Sequence, residues 1–179
     1  MTAVQSEPIR EEHVAARPAE RAVETKLPTR KILAVVDGSE RTGRVLEYLI
    51  GLIESGVPIE VVILNVQPKP EDWRLRGYGS FKQDEVHDRL VNDLGKPIVT
   101  SVGRRLDQGG ISHKNLIELG DPTDTILRCA REERCDLIVL SEDRPGAFRK
   151  WLTTALGLSF GSVASKVVQL AEIPVVVVK

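Results

Sequence analysis

The chain has 179 residues, 41% hydrophobic and 28% charged, a composition suited to one soluble domain with enough apolar side chains for a core of its own. A formal net charge of -1 and a pI near 6.3 leave no long-range field to draw nucleic acid or anionic lipid, so neither is expected as a partner. No apolar run is long enough to span a bilayer, and the N-terminus lacks the apolar core of a secretory signal, which suggests a cytoplasmic address.

Met1 to about Pro28 mixes Glu, Arg, Ala and Pro without apolar periodicity and reads as a disordered tail (1–28), leaving residues 29–179 as the domain. Glu7, Glu11, Glu12, Glu20 and Glu24 also argue against a mitochondrial presequence. Next, Lys31 to Val36 is a continuous apolar run ending in Asp37-Gly38-Ser39-Glu40, the signature of a strand buried on both faces followed by a turn. Val45, Leu46, Leu49 and Ile53 then fall at helical spacing, with Ser39 or Glu40 as the helix start. Ile59 to Val66 is the second expected strand. Asp84 to about Leu106 is a long helix with Pro97 as its kink, and Asn115 to Leu119 the third strand. Ile126, Leu127 and Ala130 mark a helix, Leu137 to Leu140 the fourth strand, Val163 to Ala171 the last helix and Val175 to Val178 the last strand. Strands alternating with helices imply right-handed crossovers and a doubly wound α/β fold around a parallel sheet. Cys129 and Cys135 sit in a helix-to-strand passage and read as small buried side chains rather than a disulfide or metal framework. His87 and His113 lack Cys or His partners at ligand spacing, so no metal is expected.

In such sheets ligands bind beyond the carboxyl ends of the strands, where the winding reverses, which directs attention to Asp37, Val66, Gly120 and Ser141. The segments around them carry a resemblance. "KILAVVDGSE", "VVILNV", "GDPTDTILRCAREERCDLIVL" and "GSVASKVVQLAEIPVVVVK", in that order, are similar to the universal stress protein domain, and the similarity spans roughly Arg30 to Lys179. It implies a five-stranded sheet in the order 3-2-1-4-5, the Rossmann-like adenine nucleotide alpha hydrolase-like fold, which in one branch of the family binds ATP, with magnesium as its companion ion. By position, the acid that meets the adenosine is Asp37, and the valine that presents its backbone to adenine is Val66. Asp37 could equally serve only as a cap on the following turn, as Asp before Gly often does.

ATP-binding members carry glycine, two residues, glycine, nine residues, then glycine with serine or threonine. The first two glycines bring bare backbone to the phosphates, and the last pair opens a helix whose free N–H groups hold them. Gly161-Ser162, followed by Val163, fits the last pair, but counting back places Trp151 and Phe148 where the other glycines belong. Anchored on the fourth strand instead, Ser141 and Arg144 take those positions, with extra residues before Gly161. Gly146 could restore part of the turn, and Arg144, Arg149 and Lys150 could supply charge. Phe148, Trp151, Leu152, Ala155 and Leu156 form one apolar stripe of an added short helix, which either packs on the core or offers a lid or a docking face for a protein partner. "WRLRGYGSF", Trp73 to Phe81, reads as a loop.

Three function classes follow. The leading one is a non-enzymatic stress-response or signalling module that binds an adenine nucleotide (ATP or AMP) weakly, or answers to a protein partner without nucleotide. The second is a slow ATPase of the same fold, for which no base or Walker-type lysine loop is visible. A phospho-acceptor receiver domain ranks last, since only Asp37 follows the first strand where an acidic pair is needed. Finally, Val175 to Val178 is apolar on both faces although the implied order puts it at a sheet edge, so a homodimer is expected to cover it.

Overall fold

The computed structural model describes residues 28–67, 69, 83–142 and 162–179. Five parallel strands, β1 (Arg30–Val35), β2 (Ile59–Gln67), β3 (His113–Leu119), β4 (Leu137–Ser141) and β5 (Val175–Val178), form one sheet in the order β3-β2-β1-β4-β5. The helices are α1 (Glu40–Glu54), α2 (Gln83–Asp88), α3 (Lys96–Gln108), α4 (Pro122–Glu132) and α5 (Val163–Leu170), with a π-helical stretch, Arg89–Gly95, joining α2 to α3. This is the doubly wound arrangement that the alternation of strands and helices implies, in the strand order that the family resemblance implies.

Because successive strand residues face opposite sides, the apolar runs of β1, β2 and β4 feed two separate cores. On one face Ile32, Ala34, Val61, Ile63 and Val139 pack against Val45, Leu46 and Leu49 of α1 and Val99, Val102 and Leu106 of α3. On the other, Leu33, Val62, Leu64, Ile138 and Leu140 meet Ile126, Cys129 and Ala130 of α4 and Ala164 and Val167 of α5. Each fully buried aliphatic side chain here contributes about 1.5–3 kcal/mol of hydrophobic stabilisation. Among the described residues, no helix is long and apolar enough to cross a membrane.

Element ends differ from the sequence expectation for local reasons. β1 ends at Val35 rather than Val36, because the Val36 carbonyl accepts from the Asn65 side chain instead of from the next strand rung. β2 runs one residue beyond Val66, held by a 2.9 Å bond from Gly120 N–H to the Gln67 carbonyl. β3 starts at His113, two residues before the expected Asn115, since a polar edge strand pairs through backbone groups whatever its side chains. The helix around Pro97 extends from Gln83 to Gln108, and its irregularity is the π-helical stretch just before the proline, which has no N–H to continue an α-helical ladder. α5 closes at Leu170 because Ala171 is already extended, with ψ 137. The tail up to residue 27, the Trp73–Phe81 loop and the Phe148–Leu156 helix lie outside the described residues.

Candidate functional site

The winding reverses between β1 and β4, where α/β sheets leave a crevice at the strand ends. A cavity of about 160 Å3 opens there, lined by Val35, Val36, Asp37, Val66, Pro122, Ile126, Leu140, Ser141 and Val163. Four of the residues expected from sequence therefore share one wall system: Asp37, Val66, Ser141 and Val163. Ser162 adjoins them as the N-cap of α5, its hydroxyl accepting from Ser165 N–H at 3.1 Å. Gly120 does not line the cavity. It is buried one residue past β3, where a β-carbon would lie 2.6 Å from Thr125 Oγ1, so its lack of a side chain serves packing. Gly146 and Gly161 lie outside the described residues, as do Arg144, Arg149 and Lys150.

Asp37 sits where β1 turns into α1. Gly38 follows with φ +76, and a β-carbon there would come within 2.8 Å of Ile98, so the turn demands glycine on two counts. Asp37 Oδ1 collects the local donors: Ser39 Oγ at 2.6 Å, Ser39 N–H at 2.9 Å and Thr42 Oγ1 at 3.2 Å. Ser39, not Asp37, is the N-cap of α1. Oδ2 faces Arg41 Nη2 at 3.6 Å. The carboxyl thus satisfies the turn with one oxygen and keeps the other, on a side chain 45% exposed, for a further donor. Burial pushes its pKa up, but the bonds from Ser39 and Thr42 and the Arg41 charge outweigh that and hold it below the ordinary 3.8. It is an ionised acceptor at neutral pH.

Val66 contributes its main chain. Along β2, hydrogen bonds alternate between neighbours: Val61 N–H reaches Ser112 on the β3 side, whereas the Leu64 carbonyl accepts from Val36 N–H at 2.9 Å on the β1 side. Val66 shares the parity of Leu64, so its N–H and C=O point past the end of β1. Among the described residues no backbone group pairs with them. One donor and one acceptor thus stand side by side next to apolar walls and an ionised carboxylate.

Three contributors escape a sequence reading. Pro122 is the first residue of α4, set by the Asp121 cap that accepts from Thr123 and Asp124 N–H at 2.9 and 3.1 Å. Arg41 joins Asp37 to the end of β4 through a 3.3 Å bond from Nη1 to the Glu142 carbonyl. Asn65, 2% exposed, was signalled only as a lone amide in an apolar strand, and such a group must find partners. A larger cleft of about 420 Å3 nearby, lined by Ser39, Glu40, Arg41, Arg44, Glu142 and Lys179, mixes cations with carboxylates and includes none of the expected residues.

The arrangement suits a ligand with a flat apolar body, a paired donor–acceptor edge for Val66 and a hydroxyl for Asp37. The cavity is below the about 300–1,000 Å3 usual for small-molecule sites.

Comparison with known proteins finds the same fold in solved structures. The hypothetical protein MJ0577 has a similar structure, with 23% identity, TM-score 0.64, and coverage of 84% of this chain and 95% of that one. The universal stress protein from Archaeoglobus fulgidus in complex with dAMP is 20% identical, with TM-score 0.54 and coverage of 86% and 99%. A universal stress protein family protein from Arabidopsis thaliana with AMP bound is 21% identical, with TM-score 0.54 and coverage of 84% and 91%. No curated protein matches the chain significantly. The sequence profile of the universal stress protein family matches residues 28–179. The chain belongs to the universal stress protein family.

Proposed function

We propose that this chain is a non-enzymatic signalling module that binds an adenine nucleotide at the carboxyl ends of β1, β2 and β4. The observation that carries the reading is the meeting, on one cavity, of an ionised Asp37 carboxylate and the Val66 main-chain edge, which no backbone group among the described residues pairs. Adenine offers a ring-nitrogen acceptor beside an amino donor, the complement of the Val66 N–H and C=O. The Asp37 oxygen turned away from Ser39 accepts from a ribose hydroxyl. The phosphates point toward the start of α5, where Ser162 stands and the first-turn N–H groups favour an anion. That two similar structures hold AMP and dAMP supports the adenosine part of the assignment.

ATP binds weakly, because the glycine pattern before Gly161 is incomplete. Each lost charge-assisted backbone contact costs about 1.5–3 kcal/mol, one to two decades of affinity. A thermal-shift titration with ATP, ADP, AMP and cyclic AMP in magnesium buffer tests the proposal, since a ligand at free concentration L that binds only the native state stabilises it by RT ln(1 + L/Kd) and so raises Tm as its concentration climbs past Kd. A rise with at least one of these ligands that disappears in Asp37→Ala is expected. No rise with any of them overturns the nucleotide reading, and low-micromolar ATP affinity overturns the weak-binding part.

The assembly is a homodimer built on β5. Among the described residues β5 has a strand neighbour on one side only, and all four of its valines remain partly exposed. On the preceding α5, Val168 and Leu170 are 51% and 60% exposed. A symmetric copy of this edge covers both features at once.

A further inference from the structure

The β1–β2 ladder stops one rung early, and the residue that stops it is buried beside the site. Leu64 exchanges its rung with β1 through the 2.9 Å bond from Val36 N–H to its carbonyl. In a parallel ladder the next rung would be Val66 N–H on the Val36 carbonyl. That carbonyl accepts instead from Asn65 Nδ2 at 2.7 Å. The amide cannot rotate away: Asn65 Oδ1 accepts from Gln67 Nε2 at 2.7 Å, and the side chain is 2% exposed. From the helical layer, Gly95 of the π-helical stretch closes over it, so tightly that a β-carbon there would lie 3.3 Å from Asn65 Oδ1 and 2.6 Å from Ile117 Cγ2.

We infer that Asn65 is a positioning residue whose amide takes the place of the Val66 N–H on the Val36 carbonyl and so keeps the Val66 main-chain edge open for a ligand. The argument is one of competition. A buried carbonyl must have a donor, and two are candidates: Asn65 Nδ2, which supplies the bond, and the Val66 N–H, which the ladder register would bring to it next. While Asn65 supplies the bond, β1 can turn away at Asp37 and Gly38 without orphaning Val36, and Val66 keeps a donor and an acceptor directed into the cavity. Without the amide, the Val36 carbonyl draws in the Val66 N–H, the ladder lengthens by one rung, and the edge that would read a base is consumed. The inference deepens the nucleotide reading, on which the ligand part rests, but the state of the Val66 amide can be measured without any nucleotide.

Amide hydrogen exchange followed by NMR on the ligand-free full chain provides the test. In the natural sequence the Val66 amide is expected to exchange at least about tenfold faster than that of Leu64, because no backbone group among the described residues accepts from it. In Asn65→Leu it is expected to slow by about tenfold while Leu64 is unchanged, a residue-specific protection that general loosening would not produce. AMP affinity measured by titration should fall about tenfold in the same variant, as a lost base contact implies. A Val66 amide already protected in the natural chain, or unprotected in the variant, overturns the inference. If Asn65→Leu does not fold, the natural chain still decides: a through-hydrogen-bond coupling between Val66 N and the Val36 carbonyl carbon would refute it. If AMP fails to bind while the exchange pattern holds, the nucleotide reading has failed and the positioning by Asn65 stands.

Discussion

Gly120 and Thr125 stand so close that a β-carbon on Gly120 would lie 2.6 Å from Thr125 Oγ1. The pair locks the end of β3 to the first turn of α4, since Gly120 N–H bonds the Gln67 carbonyl at 2.9 Å and Thr125 N–H bonds the Asp121 carbonyl at 3.0 Å. Gly120→Ala is therefore expected to destabilise the fold by about 1–3 kcal/mol, the usual cost of overpacking. Adding Thr125→Ala should return part of that loss, and urea denaturation of the single and double variants measures the coupling. A fully additive pair would mean that the contact is not the cause.

The Asp37 carboxyl makes acid sensitivity predictable. Burial works against its ionised form, but the Ser39 and Thr42 hydrogen bonds and the Arg41 charge win, so its folded pKa lies below the ordinary 3.8. A depressed carboxyl stabilises the native state above the unfolded pKa, and that contribution is lost as pH falls through the folded value. The difference in urea midpoint between the natural chain and Asp37→Asn should be present at neutral pH and shrink once pH drops below 3.8. An unchanged difference across that window would show that the charge is not what matters.

The thiols of Cys129 and Cys135 are both pushed up to about 11 by burial, so neither is a nucleophile near neutral pH. Labelling by an aromatic disulfide reagent at pH 8 should be slow in the native protein and fast in urea. On the alkaline side the unfolded chain releases these protons near 9.0 and the native chain does not, so stability declines as pH rises beyond that value. Fast native labelling of either residue would contradict the packing described here.

Light scattering at micromolar concentration is expected to return twice the 19.8 kDa chain mass. Replacing Val168 and Leu170 together by glutamate should shift it toward 19.8 kDa with the circular dichroism unchanged, because both side chains are exposed in the isolated chain and support no core. A monomer before substitution, or a dimer indifferent to it, would place the association elsewhere or remove it.

The sequence by itself determined the layered architecture. Runs such as Ile32 to Val36 are apolar at every position, which only a strand buried on both faces tolerates, and Val45, Leu46 and Leu49 recur at a spacing that leaves one helical face to bury. Alternation of the two patterns, with the handedness of crossovers, leaves few arrangements, and the observed strand order is the one that the family resemblance implies. The tertiary structure decided which strand-end residues meet. Asp37 divides its two oxygens between a turn and the Arg41 guanidinium, and Gly120 answers to Thr125 rather than to a cavity. Neither outcome follows from residue type, because both depend on which atoms approach from segments far away or on the other side of a turn. The open edge of Val66 is likewise a matter of register: it exists because Asn65, rather than a strand neighbour, satisfies a carbonyl of β1. Periodicity reports which face a side chain takes, but hydrogen-bond competition at a strand end is settled only when the strands are side by side.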